Sequence, residues 1–187
     1  MRVIFIPGNG GESPKDNWFP YLKEELEKLK IEVIASEFPD NQLARESYWI
    51  PFLKDILQAD DQTVLVGHSS GAIAAMRFAE TNRLLGSVLV GAYHTDLGLP
   101  TEIQSGYFNR PWDWGSIKQK QEWIIQFASV NDPWIPIEEA RFVRDKLSTE
   151  YHEFIDQGHF GGDYKKLVFP ELFEALKMRL YRNEYRG

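Results

Sequence analysis

Short continuous apolar runs alternate along the chain with segments whose apolar residues recur every three or four positions. Val3 to Ile6 is one such run, ended by Pro7 and the turn GNGG, and it predicts a buried strand. Leu22, Leu26 and Leu29 then mark one face of a helix, and Ile31 to Ala35 predicts the next strand. A second helix is expected from about Arg45 to Leu57, kinked or restarted at Pro51. Thr63 to Val66 reads as a third strand, Ser70 to Thr81 as a helix, Ser87 to Val90 as a fourth strand and Trp123 to Ser129 as a fifth. Ala140, Val143 and Leu147 line a helix over 137–147, Glu150 to Ile155 is a last strand, and Leu172, Leu176 and Leu180 lie one turn apart on a C-terminal helix. The connections are long enough for parallel crossovers, so the pattern predicts an α/β fold of about six mostly parallel strands with helices on both faces.

One stretch breaks this rhythm. Residues 93–121 include GYFNRPWDWG, dense in aromatic residues and without a clean period. A segment of that length in a compact domain predicts a functional loop or a lid. There is no internal repeat, low-complexity tract or linker, so one domain over 1–187 is expected.

Composition narrows the function classes. With 43% hydrophobic and 14% aromatic residues, the 187-residue chain can bury a substantial core. A formal charge of −7, with basic residues scattered, argues against nucleic acid or an anionic membrane surface as partner. No cysteine is present, which excludes disulfides, thiolate metal sites and cysteine nucleophiles. The early run VIFIP is too short for a secretory signal core, and no apolar stretch approaches a membrane span, so a cytoplasmic protein is expected.

The chemistry concentrates at Gly67-His68-Ser69-Ser70-Gly71, a G-x-S-x-G pattern between a predicted strand and a predicted helix. A sharp strand-to-helix turn holds its central serine in a strained backbone conformation and crowds the residues two positions either side, where only glycine fits. Ser69 alone has glycine at both offsets, which makes it the nucleophile candidate; Ser70 would supply its backbone amide to an oxyanion. The plainer alternative is a tight turn with Ser70 as an ordinary helix cap.

A serine hydroxyl needs a base, and the base needs an acid. Of His68, His94, His152 and His159, only His159, in the loop IDQGHFGG after the last strand, has both the expected chain order and a strand-end context. His68 is assigned to packing, and His152 to the sheet. Asp132, in NDPWIP after the fifth strand, is the favoured acid, ahead of Asp156 and Asp96. The loop PGNGG is the second candidate source of oxyanion donors, through the amides of Asn9 or Gly10. It lacks the third glycine of a dinucleotide fingerprint, and no phosphate-binding P-loop occurs, so no cofactor is expected and no metal.

Together PGNGG, ARESYWIPF, VGHSSGAIAAMRFAE, GYFNRPWDW, NDPWIP and DQGHF resemble the retinoblastoma-binding protein 9 family of small serine hydrolases, over about Val3 to Leu176. The resemblance implies a minimal α/β-hydrolase fold without a large cap domain, with Ser69 as nucleophile, Asp132 as acid and His159 as base. It also implies esterase or amidase activity on small acyl compounds, including amino-acid-derived ones. Trp112, Trp134, Phe160 and Tyr107 are the expected pocket-lining aromatics. The motif behind the family's proposed retinoblastoma contact is absent, because the similar position reads Leu57-Gln58-Ala59-Asp60-Asp61, so that partner is not expected. The expected function is hydrolysis of a small ester or amide through an acyl-enzyme; the alternatives are a binding or scaffold protein with an idle triad, or an acyltransferase.

Overall fold

The computed structural model describes residues 1–184, so the last three positions of the 1–187 span lie outside the described residues. Six strands form one sheet: β1 (Arg2–Ile6), β2 (Glu32–Ile34), β3 (Thr63–His68), β4 (Gly86–Val90), β5 (Trp123–Ser129) and β6 (Glu150–Phe154). They lie in the order β2-β1-β3-β4-β5-β6, and every neighbouring pair is parallel. Seven α-helices accompany them: α1 (Phe19–Lys28), α2 (Glu46–Pro51), α3 (Ser70–Thr81), α4 (Pro100–Ser105), α5 (Trp114–Gln119), α6 (Ile137–Leu147) and α7 (Pro170–Glu184).

The central strands β1, β3, β4 and β5 read as largely apolar runs because both faces of the sheet are covered there. Val3, Phe5, Val64, Val66, Val88 and Val90 face one way, onto Phe19, Leu22 and Leu26 of α1 and Leu172, Leu176 and Leu180 of α7. Their alternates Ile4, Ile6, Leu65 and Leu89 face the other core, which is built on Trp49 of α2, α3 and Val143 and Leu147 of α6. Strand order reverses between β1 and β3, which opens a crevice beyond their carboxyl ends, where open parallel sheets carry their sites.

Two details of the chain path differ from the simplest reading. The second helix does not run through to Leu57: α2 ends at Pro51, and a π-helical turn over Phe52–Ile56 follows, with Leu57 N–H reaching back to Phe52 O at 2.9 Å. Proline has no amide hydrogen to continue the α-helical ladder, and the wider turn absorbs the mismatch. The 93–121 segment is not an open lid. It contains α4 and α5, and its central stretch is pinned by the buried Arg77 of α3. The Arg77 guanidinium donates to the carbonyls of Tyr107 (2.9 Å), Arg110 (2.8 Å) and Pro111 (3.1 Å), pairs with Glu80, and lies 3.6 Å from the Trp112 ring centroid.

Candidate active site

Ser69 sits at the turn between β3 and α3 with φ 54° and ψ −121°, a conformation that costs a non-glycine residue about 1–3 kcal/mol. The strain is enforced by its neighbours. A Cβ on Gly67 would stand 2.3 Å from Gly71 O, and one on Gly71 would stand 2.2 Å from Ile6 O. Both glycines are therefore steric requirements of the turn, and Ser69 N–H donates to Val90 O at 2.8 Å to hold it against β4. Ser69 is only partly buried and lines a cavity.

Asp132 and His159 come from loops beyond β5 and β6 and meet with Nδ1 2.7 Å from Oδ2. The other carboxylate oxygen accepts the Trp134 and Ile135 amides at 2.9 and 3.1 Å, which fixes the Asp132 side chain, only 3% exposed. The two loops are clamped together: Asn131 Oδ1 accepts Gly158 N–H at 2.8 Å, and Ser129 Oγ accepts Gln157 N–H at 2.9 Å. His159 and Ser69 line the same cavity of about 650 Å³. The rival residues lie elsewhere: Asp156 is exposed and accepts from its neighbour Gln157, His94 contacts Glu139 at 2.6 Å, and His152 stacks on Phe127.

Of the expected oxyanion donors, Gly10 requires correction. Its N–H is committed to Gln42 O at 3.1 Å, because the glycine turn packs on the loop before α2. The Asn9 and Ser70 amides have no acceptor among the described residues, one in the loop after β1 and one at the start of α3. The aromatic expectations also need correction. Trp134 does line the cavity and is 63% exposed, but Trp112, Tyr107 and Phe160 do not. Tyr107 is buried over α2 and α3 under the Arg77 clamp, Trp112 donates its indole N–H to His94 O, and Phe160 turns beneath His159 to stack on Phe169. Leu97, Leu99, Pro100 and Ile135 supply apolar lining instead.

Sequence reasoning missed three polar residues. Glu102 is buried in the cavity wall, where it accepts Asn9 Nδ2–H at 2.8 Å and Tyr93 O–H at 2.6 Å. Burial pushes its carboxyl above the ordinary value, and burial together with Glu102 keeps the Tyr93 phenol protonated. Glu12 accepts the Gly8 and Asn17 Nδ2 N–H groups and faces His68 Nδ1, 2.9 Å from both carboxylate oxygens. His68 Nε2 in turn donates to the backbone carbonyl of His159 at 2.7 Å. Burial alone would raise the Glu12 carboxyl and lower the His68 imidazole; their mutual attraction and hydrogen bonds outweigh it, holding Glu12 below and His68 above their ordinary values. The signal for this pair was a histidine inside the elbow, and its partner could not be seen because it lies 56 positions away.

A serine held at a strained strand-to-helix turn, a histidine–aspartate contact beside it and a six-stranded parallel sheet covered on both faces are the arrangement of the α/β-hydrolase fold. A family model described as serine hydrolase matches residues 3–178, and the chain belongs to that family. It is 41% identical over 181 residues to the serine hydrolase RBBP9 of Rattus norvegicus, covering 96% of this chain and 95% of that protein. In three dimensions it is similar to the ydeN gene product of B. subtilis, with a TM-score of 0.86 and 22% identity over 97% of this chain and 100% of the other. It is also similar to Est1E of Butyrivibrio proteoclasticus, solved with ferulic acid bound, with a TM-score of 0.73 and 11% identity over 97% and 89% of the two chains.

Proposed function

We propose that this protein hydrolyses small esters or amides through an acyl-enzyme on Ser69. The observation that carries the reading is the 2.7 Å contact between His159 Nδ1 and Asp132 Oδ2 in the cavity that Ser69 lines. The carboxylate fixes the imidazole with its proton on Nδ1, which leaves Nε2 as the base for the serine proton. Ser69 Oγ attacks the acyl carbonyl, and the Asn9 and Ser70 amides receive the oxyanion. His159 then protonates the leaving group and activates the water that releases the acid.

The cavity favours a substrate class. Its wall carries Asp16 and Glu102, a Glu12 carboxylate paired with His68 and, among the described residues, no Lys or Arg. An anionic acyl group meets like charge there, whereas neutral or ammonium-bearing acyl groups, amino-acid-derived ones included, do not.

The test is a fluorophosphonate probe on the purified protein, with the adduct located by mass spectrometry. Ser69 should be modified in the wild type, and Ser69→Ala should take up no label; an unlabelled wild type rejects the enzyme reading. Asp132→Asn should lower kcat on a p-nitrophenyl ester by roughly 10⁴-fold, because the amide donates to Nδ1 and places the imidazole proton on Nε2. Asp156→Asn should leave the rate near wild type, and the reverse ranking would reject Asp132 as the acid.

A further inference from the structure

We propose that Glu12 and His68 are positioning residues: a buried pair that braces the β1 loop against the His159 loop, so that the Asn9 amide and the His159 ring keep fixed places about Ser69. The inference rests on the hydrolase reading of Ser69 and adds two residues to its machinery.

The bonds form a continuous path between main-chain atoms of the two loops. Gly8 N–H, one residue before the Asn9 amide, donates to Glu12; Glu12 faces His68 Nδ1; His68 Nε2 donates to the His159 carbonyl. A branch runs from Glu12 through Asn17, whose Oδ1 accepts Gly162 N–H at 3.2 Å, so the His159 loop is held at two points. His68 is itself rigid, since it is the last residue of β3 and directly precedes Ser69.

Proton placement follows from the partners. A carbonyl oxygen cannot donate, so His68 Nε2 carries a hydrogen. The Glu12 carboxylate already accepts two N–H groups and faces Nδ1 with both oxygens, so a proton lies there as well. The pair is thus an imidazolium and a carboxylate, net neutral, with the His68 ring centroid 4.9 Å from that of His159. An apolar pair would fill this space without the desolvation penalty of two charges. What the charged pair adds is strong, directional hydrogen bonds that end on the two catalytic loops.

The variants separate bracing from packing. Glu12→Ala removes the acceptor for Gly8. His68→Asn keeps a donor toward Glu12 but gives up the His159 carbonyl. Glu12→Gln keeps an acceptor for Gly8 and donates to Nδ1, giving up only the acceptor for Asn17, so His68 becomes neutral yet still donates from Nε2. Glu12→Ala and His68→Asn should each lower kcat on a p-nitrophenyl ester by roughly 10- to 100-fold with KM within about threefold, and Glu12→Gln should recover most of that loss. Histidine-selective 15N NMR should show protons on both His68 ring nitrogens in the wild type at about pH 8, where an ordinary imidazole is neutral, and only Nε2–H in Glu12→Gln. Folded Glu12→Ala and His68→Asn proteins with kcat within about twofold of wild type overturn the proposal. So does a loss confined to KM or to the unfolding midpoint. If the wild type fails to react at Ser69, the hydrolase reading falls by itself, and the brace is read from the His159 ring resonances. Their displacement in Glu12→Ala and His68→Asn supports it, and unchanged resonances overturn it. Should both of those variants fail to fold, Glu12→Gln decides: a His68 ring that loses its Nδ1 proton while kcat and the His159 resonances stay near wild type supports the brace, and a retained Nδ1 proton, or a kcat loss of the size expected for Glu12→Ala, overturns it.

Discussion

Ser69 holds φ 54° because the turn has nowhere else to put it, with Gly67 and Gly71 pressed against each other and against β1. That strain is independent of the hydroxyl, so a change to alanine retains it and a change to glycine relieves it. Glycine also gives up more conformational freedom on folding, by about 0.5–1 kcal/mol, which offsets part of the relief. Urea denaturation should therefore find Ser69→Gly more stable than Ser69→Ala by about 0.5–2 kcal/mol, although neither variant carries the hydroxyl. Equal stabilities would mean that the backbone strain is not stored at this residue. The strained position was legible in the sequence, because glycine at both offsets admits only Ser69 at the centre. Gly10 was misjudged at the same scale, since the carbonyl of Gln42 that takes its amide belongs to a loop that no local pattern pairs with it.

Elements were the most legible level of this molecule. Apolar runs located the central strands β1, β3, β4 and β5, since a sheet buried on both faces writes itself as hydrophobic sequence, whereas the edge strands β2 and β6 are only partly buried and carry charged residues. The parallel order places the ends of β1, β3, β5 and β6 on one rim, so strand ends together with chain order and the glycine spacing made Asn9, Ser69, Asp132 and His159 the candidates. Tyr107 and Trp112 in the aromatic stretch after β4 were misread as pocket lining because their packing is dictated from outside, by Arg77 in the middle of α3. The only trace is a lone arginine within the otherwise apolar AIAAMRFA. Arg77→Ala leaves three loop carbonyls without a donor and Glu80 buried beside no cation but Arg110. The expected loss is about 3–5 kcal/mol in urea unfolding. Arg77→Lys should recover little of it, because a single ammonium cannot reproduce the planar fork that serves Tyr107, Arg110 and Pro111 together. Full recovery with lysine would show that charge alone, without the fork, holds this segment.

Across the whole molecule, an excess of acidic groups makes stability a function of pH, and the cavity carboxylates pull in opposite directions. Glu12 is held below its ordinary value of 4.5, so its contribution is complete above that value and fades as pH falls through its folded-state value. His68 is held above its ordinary 6.5, so its contribution is complete below that and fades as pH rises through its own. The brace is therefore strongest between those two ordinary values. Glu102 has the opposite sign to Glu12. Burial raises its folded-state value above 4.5, so the folded protein binds that proton more tightly than the unfolded chain. Above the folded-state value Glu102 is ionised at a cost to stability, and the cost disappears as pH falls toward 4.5. Glu102→Gln keeps an acceptor for Asn9 and offers an N–H to the Tyr93 oxygen, so it removes the charge while preserving both contacts. In urea unfolding the variant should be more stable than wild type at about pH 7.5, with the advantage shrinking steadily toward about pH 4.5 as the wild-type carboxyl takes up its proton. An advantage of constant size across that range would assign the effect to packing, and a loss of stability at about pH 7.5 would show that the Asn9 and Tyr93 bonds need the full carboxylate.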